Sequence, residues 1–213
     1  MSELSKRTAK YYFVQGIKLF LVMLLGIVIF GAVWTNIYLG EVDITDKVLY
    51  RILSFGGVFM IMMNMMYSMY SPGWYDNMVL SMGARRKDIF FGDFIKQITF
   101  IICNMLLYST MALAVHKSEH IKRILICGVF ALLMGAVGII VGHIIKKYGR
   151  TTFIVISVVC SATFGLIMCE VANGIHLFGL GENKENVISI AAVLLFVFME
   201  YVIYRLNRKV MVV

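Results

Sequence analysis

The sequence predicts an all-α membrane protein of six transmembrane helices, led in by an N-terminal interfacial helix. Three observations carry this. Charged residues make up 15% of the 213-residue chain and apolar residues 61%, with a mean hydropathy of +0.86, whereas a typical soluble domain is about 25% charged and needs that charge to cover its surface. Apolar runs long enough to cross a hydrocarbon core of about 30 Å occur six times, near 17–40, 52–71, 96–115, 124–145, 153–172 and 187–204. In lipid the backbone must satisfy its own hydrogen bonds, and runs of about 20 apolar residues do so as helices rather than barrel strands. Residues 1–213 form one transmembrane domain, with no linker, low-complexity tract or soluble unit.

The elements follow in order. Residues 2–16 place Lys6, Arg7 and Lys10 within about a turn, with Tyr11, Tyr12 and Phe13 behind them. Basic groups at headgroups and rings at the boundary suit an interfacial helix. After the first span comes an acidic loop with Glu41, Asp43 and Asp46. The second span holds six methionines, Met60, Met62, Met63, Met65, Met66 and Met69; thioethers bind soft metals, but with no Cys or His alongside they read as flexible apolar filler or lining. The second outer loop runs from His116 to Arg123. In the fourth span, Ala131/Gly135 and Gly138/Gly142 are small-xxx-small pairs, which let helix backbones approach; packing within the bundle is favoured over a dimer seam. The third outer loop, Asn173 to Asn186, includes Ile175, Leu177, Phe178 and Leu180.

Orientation follows from Lys and Arg placement. With the N-terminus inside, inner segments hold fourteen such residues against six outside, so both termini are predicted to be cytoplasmic. The net charge of +8 then sits on one face, toward anionic headgroups, and calls for no nucleic acid. The first apolar run is too long for a cleavable signal core and lacks a small-x-small site after it. Cys103, Cys127, Cys160 and Cys169 all fall in spans without a CxxC pair, as small apolar fillers do.

Little in the chain suggests an enzyme. No GxxxxGK[ST] loop, HExxH or nucleophile elbow is present, so ATP hydrolysis by the phosphate-loop route is excluded. His116 and His120 are spaced i,i+4 with only Glu119 as a carboxylate companion, too few ligands for a metal site. Ionisable residues at membrane depth are functional candidates by default, which singles out Glu170 and Glu200. Asn64 and Tyr67 join them as candidates for a substrate path.

Residues 72–94 are the stretch most suited to touching something outside the membrane. Pro72 and Gly73 are expected to end the second span. On a helical wheel Trp74, Tyr75, Met78, Val79 and Met82 fall within about 140° of arc, with Asp76, Asn77 and Ser81 outside it, as is the apolar Leu80. Gly83 suits a left-handed cap. Beyond it Phe90, Phe91, Phe94 and Ile95 share one face, and Asp88, Gly92, Asp93 and Lys96 the other, as in a second helix lying along the interface. An apolar-faced helix followed by Arg85, Arg86 and Lys87 reads as a knob for a soluble partner, with lipid contact as the plainer alternative.

The stretch Leu80-Ser81-Met82-Gly83-Ala84-Arg85-Arg86-Lys87-Asp88-Ile89-Phe90-Phe91-Gly92 is similar to the Leu-Ser-x-Gly-Ala-x-Arg-Lys-x-[Ile/Phe]-Phe-x-Gly segment of small bacterial permeases of type-2 ATP-binding-cassette exporters. That resemblance implies an interfacial helix, six spans and, between spans two and three, a cytoplasmic coupling helix that docks into an ATPase. Trp74, Tyr75, Met78, Val79, Met82 and Gly83 would carry the docking, and Arg85, Arg86 and Lys87 would anchor the return helix at headgroups. It further implies two permease chains, identical or related, and two separate ATPase subunits that bind ATP and magnesium, in the cytoplasmic membrane. The cargo would be an amphipathic peptide, antimicrobial in some such systems, or a lipid-like molecule. The short outer loop between spans five and six departs from larger members, which carry gate helices there. Two rivals stand beside this reading: a substrate-binding subunit of an energy-coupling-factor importer, and a non-transporting peptide immunity protein.

Overall fold

A computed structural model describes residues 3–40, 43–116, 119–149, 151–152, 154–160, 162–163 and 182–209. It is all helical, with no strand among the described residues. The helices are α1 (Glu3–Ile37), α2 (Ile44–Tyr70), α3 (Asp76–Ser81), α4 (Arg86–Ala114), α5 (Glu119–Tyr148), a helical stretch over 154–160 (α6) and α7 (Glu182–Lys209). Among the described residues, four helical runs are long and apolar enough to cross a membrane: α1, α2 continued through α3, α4 and α5. The sixth expected span lies within α7; most of the fifth, 153–172, lies outside the described residues.

Three boundaries differ from expectation. From Glu3 onward the expected interfacial segment and the first span are one uninterrupted helix, Glu3–Ile37. Gly16 lies against the Lys96 carbonyl and Thr99 of α4, so helix packing already holds this segment. Pro72 does not end the second span. Its ring nitrogen cannot donate, and the chain absorbs this with a π-helical turn over Ser71–Tyr75, in which the Asp76 N–H reaches the Ser71 carbonyl. Such i→i+5 turns insert a residue without breaking the helix. Third, the return helix and the third span are a single helix, α4.

Burial is inverted relative to a water-soluble bundle. Leu21, Leu25, Val28 and Ile29 of α1, Leu106 of α4, and Leu194 and Phe198 of α7 face outward. Asn64, Ser68, Ser71, Asp76, Asp93, Lys96, Gln97 and Asn104 are buried. Lipid solvates apolar faces and penalises polar ones, so this polarity fits a bundle in a bilayer. The main core gathers Leu19, Met23, Ile52, Met60, Phe100 and Tyr108 with Ala131. Trp34 and Tyr38 stack near the end of α1, and Arg51 lies over Trp34 while donating to the Tyr38 hydroxyl at 3.1 Å.

Helix α5 is the hub, packing on α2, α4 and α7. Its small residues face α2: Asn64 Nδ2 donates to the Ala131 carbonyl at 2.7 Å. A side chain at Gly138 would strike Met65 and Ser68, and one at Gly142 would strike Met69 and Pro72. The small-xxx-small pairs thus serve an intramolecular seam, as close backbone approach requires.

Candidate functional site

The segment between α2 and α4 stands at one end of the bundle. Helix α3 closes in a Schellman motif: Ala84 N–H donates to the Val79 carbonyl at 3.2 Å and Gly83 N–H to Leu80 at 2.9 Å. Gly83 has φ +86°, the left-handed value this cap needs and glycine adopts freely. The hydrophobic contact that accompanies the motif is present, with Val79 and Ala84 buried beside Tyr12 and Ile89.

The expected apolar arc of this helix divides in two. Trp74, Met78 and Met82, four residues apart, are 78%, 54% and 54% exposed and form a ridge. Val79 faces inward and Tyr75 is half-buried, stacked on Tyr67 at 6.2 Å. Arg85, Arg86 and Lys87 are all exposed. The Arg85 N–H donates to Asp88 Oδ2 at 3.3 Å, which helps start α4 as an N-terminal carboxylate should.

Asp76, which falls outside the apolar arc on the helical wheel, is the centre of a buried polar brace. Its Oδ1 accepts from the Tyr12 hydroxyl at 2.8 Å and lies 3.4 Å from Ser71 Oγ. Ser71 in turn donates to Asp93 Oδ1 and accepts from Lys96 Nζ at 2.8 Å. Lys96 completes an ion pair with Asp93 at 3.0 Å. The Lys96 ammonium also lies 5.5 Å from the Tyr75 ring centre and 5.9 Å from that of Tyr12. All five of Tyr12, Ser71, Asp76, Asp93 and Lys96 are at most 5% exposed. Glycine makes room for this: a side chain at Gly92 would collide with the Tyr12 ring. From the exposed side, Lys146 of α5 donates to Asn77 Oδ1 at 2.7 Å. The ridge is therefore tied to α1, α4 and α5 at once. Buried ionic groups persist only when paired and hydrogen-bonded, and here they hold the helices in one arrangement. With so little exposure, the brace positions the ridge and offers no surface for a substrate.

The polar face of α4 thus points into the bundle. The interfacial arrangement expected for Asp93 and Lys96 is corrected: Phe91 is exposed, while Gly92, Asp93 and Lys96 are buried. The available signal was the i,i+3 spacing of Asp93 and Lys96, which lets opposite charges pair on a helix.

The candidates for a substrate path are scattered. Asn64 is committed to the α2–α5 seam. Glu200 is half-buried on α7, one turn from Phe196 and one from Tyr204, which contact Phe94 and Phe90 of α4. Glu170 lies outside the described residues. His120 packs edge-on against Tyr50, and among the described residues no group of three His, Cys, Asp or Glu converges as a metal site would. A separate feature is an apolar groove of about 260 Å³ between α1, α2 and α4, with Gly26 and Met66 exposed at its rim and Met23, Phe30, Phe59, Met62 and Met63 along its walls; three of these methionines belong to the second-span set read as filler or lining.

Compared with protein-family models, curated proteins and solved structures, the chain matches none.

Proposed function

We propose that the chain is the permease subunit of an ATP-binding-cassette exporter. In this reading it has six spans and both termini in the cytoplasm of a bacterium, and it works as a dimer with an identical or related chain. The observation that carries the reading is the Trp74–Met78–Met82 ridge, apolar and exposed on a short helix that Asp76 and Asn77 tie into the bundle. A loop that only joined two spans would need neither the ridge nor the ties. Aromatic and methionine anchors are what a soluble partner would grip.

In this mechanism a partner ATPase holds the ridge in its groove and supplies ATP and magnesium. Closure of the two ATPases displaces α3 as a rigid body. The displacement passes through Asp76 to Tyr12 on α1, through Ser71 to Asp93 and Lys96 on α4, and through Asn77 to Lys146 on α5. A lever must make different contacts in two states to drive a change, and a ridge bound to a moving partner does so. The outward-facing apolar helices and methionine-lined interior suit a hydrophobic or amphipathic cargo, a peptide or a lipid-like molecule.

The test is co-purification of the chain with the ATPase encoded beside it. Trp74→Ala with Met78→Ala is expected to release the ATPase while leaving the permease folded, because both side chains are largely exposed. An ATPase retained at full stoichiometry by the double variant would show that the ridge rests on lipid.

A further inference from the structure

Acids and cations do not balance in the brace. Asp76 and Asp93 are 5% and 2% exposed, and Lys96, at 1%, is the one cation buried with them among the described residues. That ammonium pairs with Asp93. Asp76 meets only neutral hydroxyls, Tyr12 at 2.8 Å and Ser71 at 3.4 Å. The Ser71 hydroxyl reaches both carboxylates, so the two acids face each other through a single oxygen. Asp93 Oδ2 is buried without a hydrogen-bond partner among the described residues.

The surrounding helices do not supply the missing cation. Helix α1 presents Tyr12, and the π turn presents Tyr75. From α4 and α5, Arg86, His143 and Lys146 line a recess beside Asp76. Arg86 is exposed, Lys146 is bonded to Asn77, and neither forms an ion pair with either acid. Helix α7 adds a third acid, Glu200, close enough to Asp93 for their charges to interact. A buried charge without a counterion is neutralised rather than tolerated, and two carboxylates sharing a site do not both ionise freely.

We infer that Asp76 and Asp93 hold one proton between them, and that its release loosens the short helix carrying the Trp74–Met78–Met82 ridge. One proton makes two acids and one ammonium neutral. It belongs to the pair rather than to either residue. The recess beside Asp76 is about 20 Å³, room for one water, so a proton has a way in where a larger guest has none. As pH rises the pair loses this proton, the brace gains a negative charge, and the acids repel across Ser71. Asp76 lies in the first turn of α3, so that repulsion acts on the ridge helix itself. The stabilisation is thus present at low pH and lost as pH rises through the titration of the pair. None of this depends on what covers the ridge, and no ATPase is required.

The test uses the purified full chain in detergent, followed by infrared spectroscopy and methionine methyl NMR from mildly acidic to mildly alkaline pH. The wild-type chain and Glu200→Gln should both show the C=O stretch of a buried carboxylic acid, lost in one single-proton step. Asp76→Asn and Asp93→Asn should each abolish that band, because either leaves one acid for the one ammonium. Met78, whose sulfur lies 3.7 Å from the Tyr11 hydroxyl, and Met82 should shift in the same step. Met60, in the main core, should stay unmoved and report folding. In Asp76→Asn the ridge methyls should keep their low-pH positions throughout, and in His143→Gln they should still titrate. If Asp93→Asn does not fold, Asp76→Asn decides alone, since asparagine can still accept from Tyr12. Absence of the band from Glu200→Gln, its survival in Asp76→Asn, or ridge methyls that cease to titrate in His143→Gln would each overturn the inference.

Discussion

At the scale of single residues, Lys96 is the side chain on which most depends. Its ammonium is the one cation inside the brace and faces Asp93, Ser71 and the rings of Tyr12 and Tyr75. Removing one member of a buried pair strands the other charge, which costs about 3–5 kcal/mol. Lys96→Met is therefore expected to lower the thermal unfolding midpoint sharply in detergent, because Asp93 and Asp76 stay buried without a cation. Adding Asp93→Asn should recover part of the loss. A double variant no more stable than Lys96→Met alone would contradict the pairing. These residues were in plain view in the sequence, yet their placement was not legible. Amphipathic reasoning sends charges outward toward water or headgroups. In a helix that enters lipid, the cheapest place for a charge is beside its partner inside the bundle.

At the scale of elements, apolar run length located the four long apolar helices, α1, α2 with α3, α4 and α5, because length against bilayer thickness is a strong constraint. The breaks were less legible. Proline normally stops a helix, but the π turn over Ser71–Tyr75 carries α2 on into α3, with the Pro72 ring seated against Gly142 of α5, where a side chain would collide with it. Gly83 was legible, since only a left-handed residue closes this cap. Gly83→Ala is expected to cost about 1–2 kcal/mol, the penalty of a side chain in left-handed backbone. The loss should appear as faster amide hydrogen exchange at Val79 to Ala84, with α5 unaffected. Equal exchange in the variant would mean that packing of Val79 and Ala84 alone holds the turn. The apolar arc around Trp74 was legible in composition but not in orientation, because its 140° width straddles the boundary between the exposed ridge and the buried Val79.

For the whole molecule, orientation rests on the distribution of cations and is directly measurable. With single cysteines in intact cells, a membrane-impermeant thiol reagent is expected to label Lys47→Cys and Lys122→Cys. Lys87→Cys and Lys147→Cys should label only after permeabilisation. The opposite pattern would invert the topology and place the ridge outside, where no ATPase could reach it. The apolar groove between α1, α2 and α4 was legible only in part: the second-span methionines read as filler or lining, but where helices leave space between them is set by packing and not by composition. Close-packed protein resists compression, and α1 is held on both sides of that groove. Toward one end Tyr12 is tied to Asp76; toward the other Phe30 packs on Phe55 and Phe59, and Trp34 stacks on Phe55. Helix α1 is thus a beam clamped near both ends, and sliding it past α2 must shear one clamp or the other.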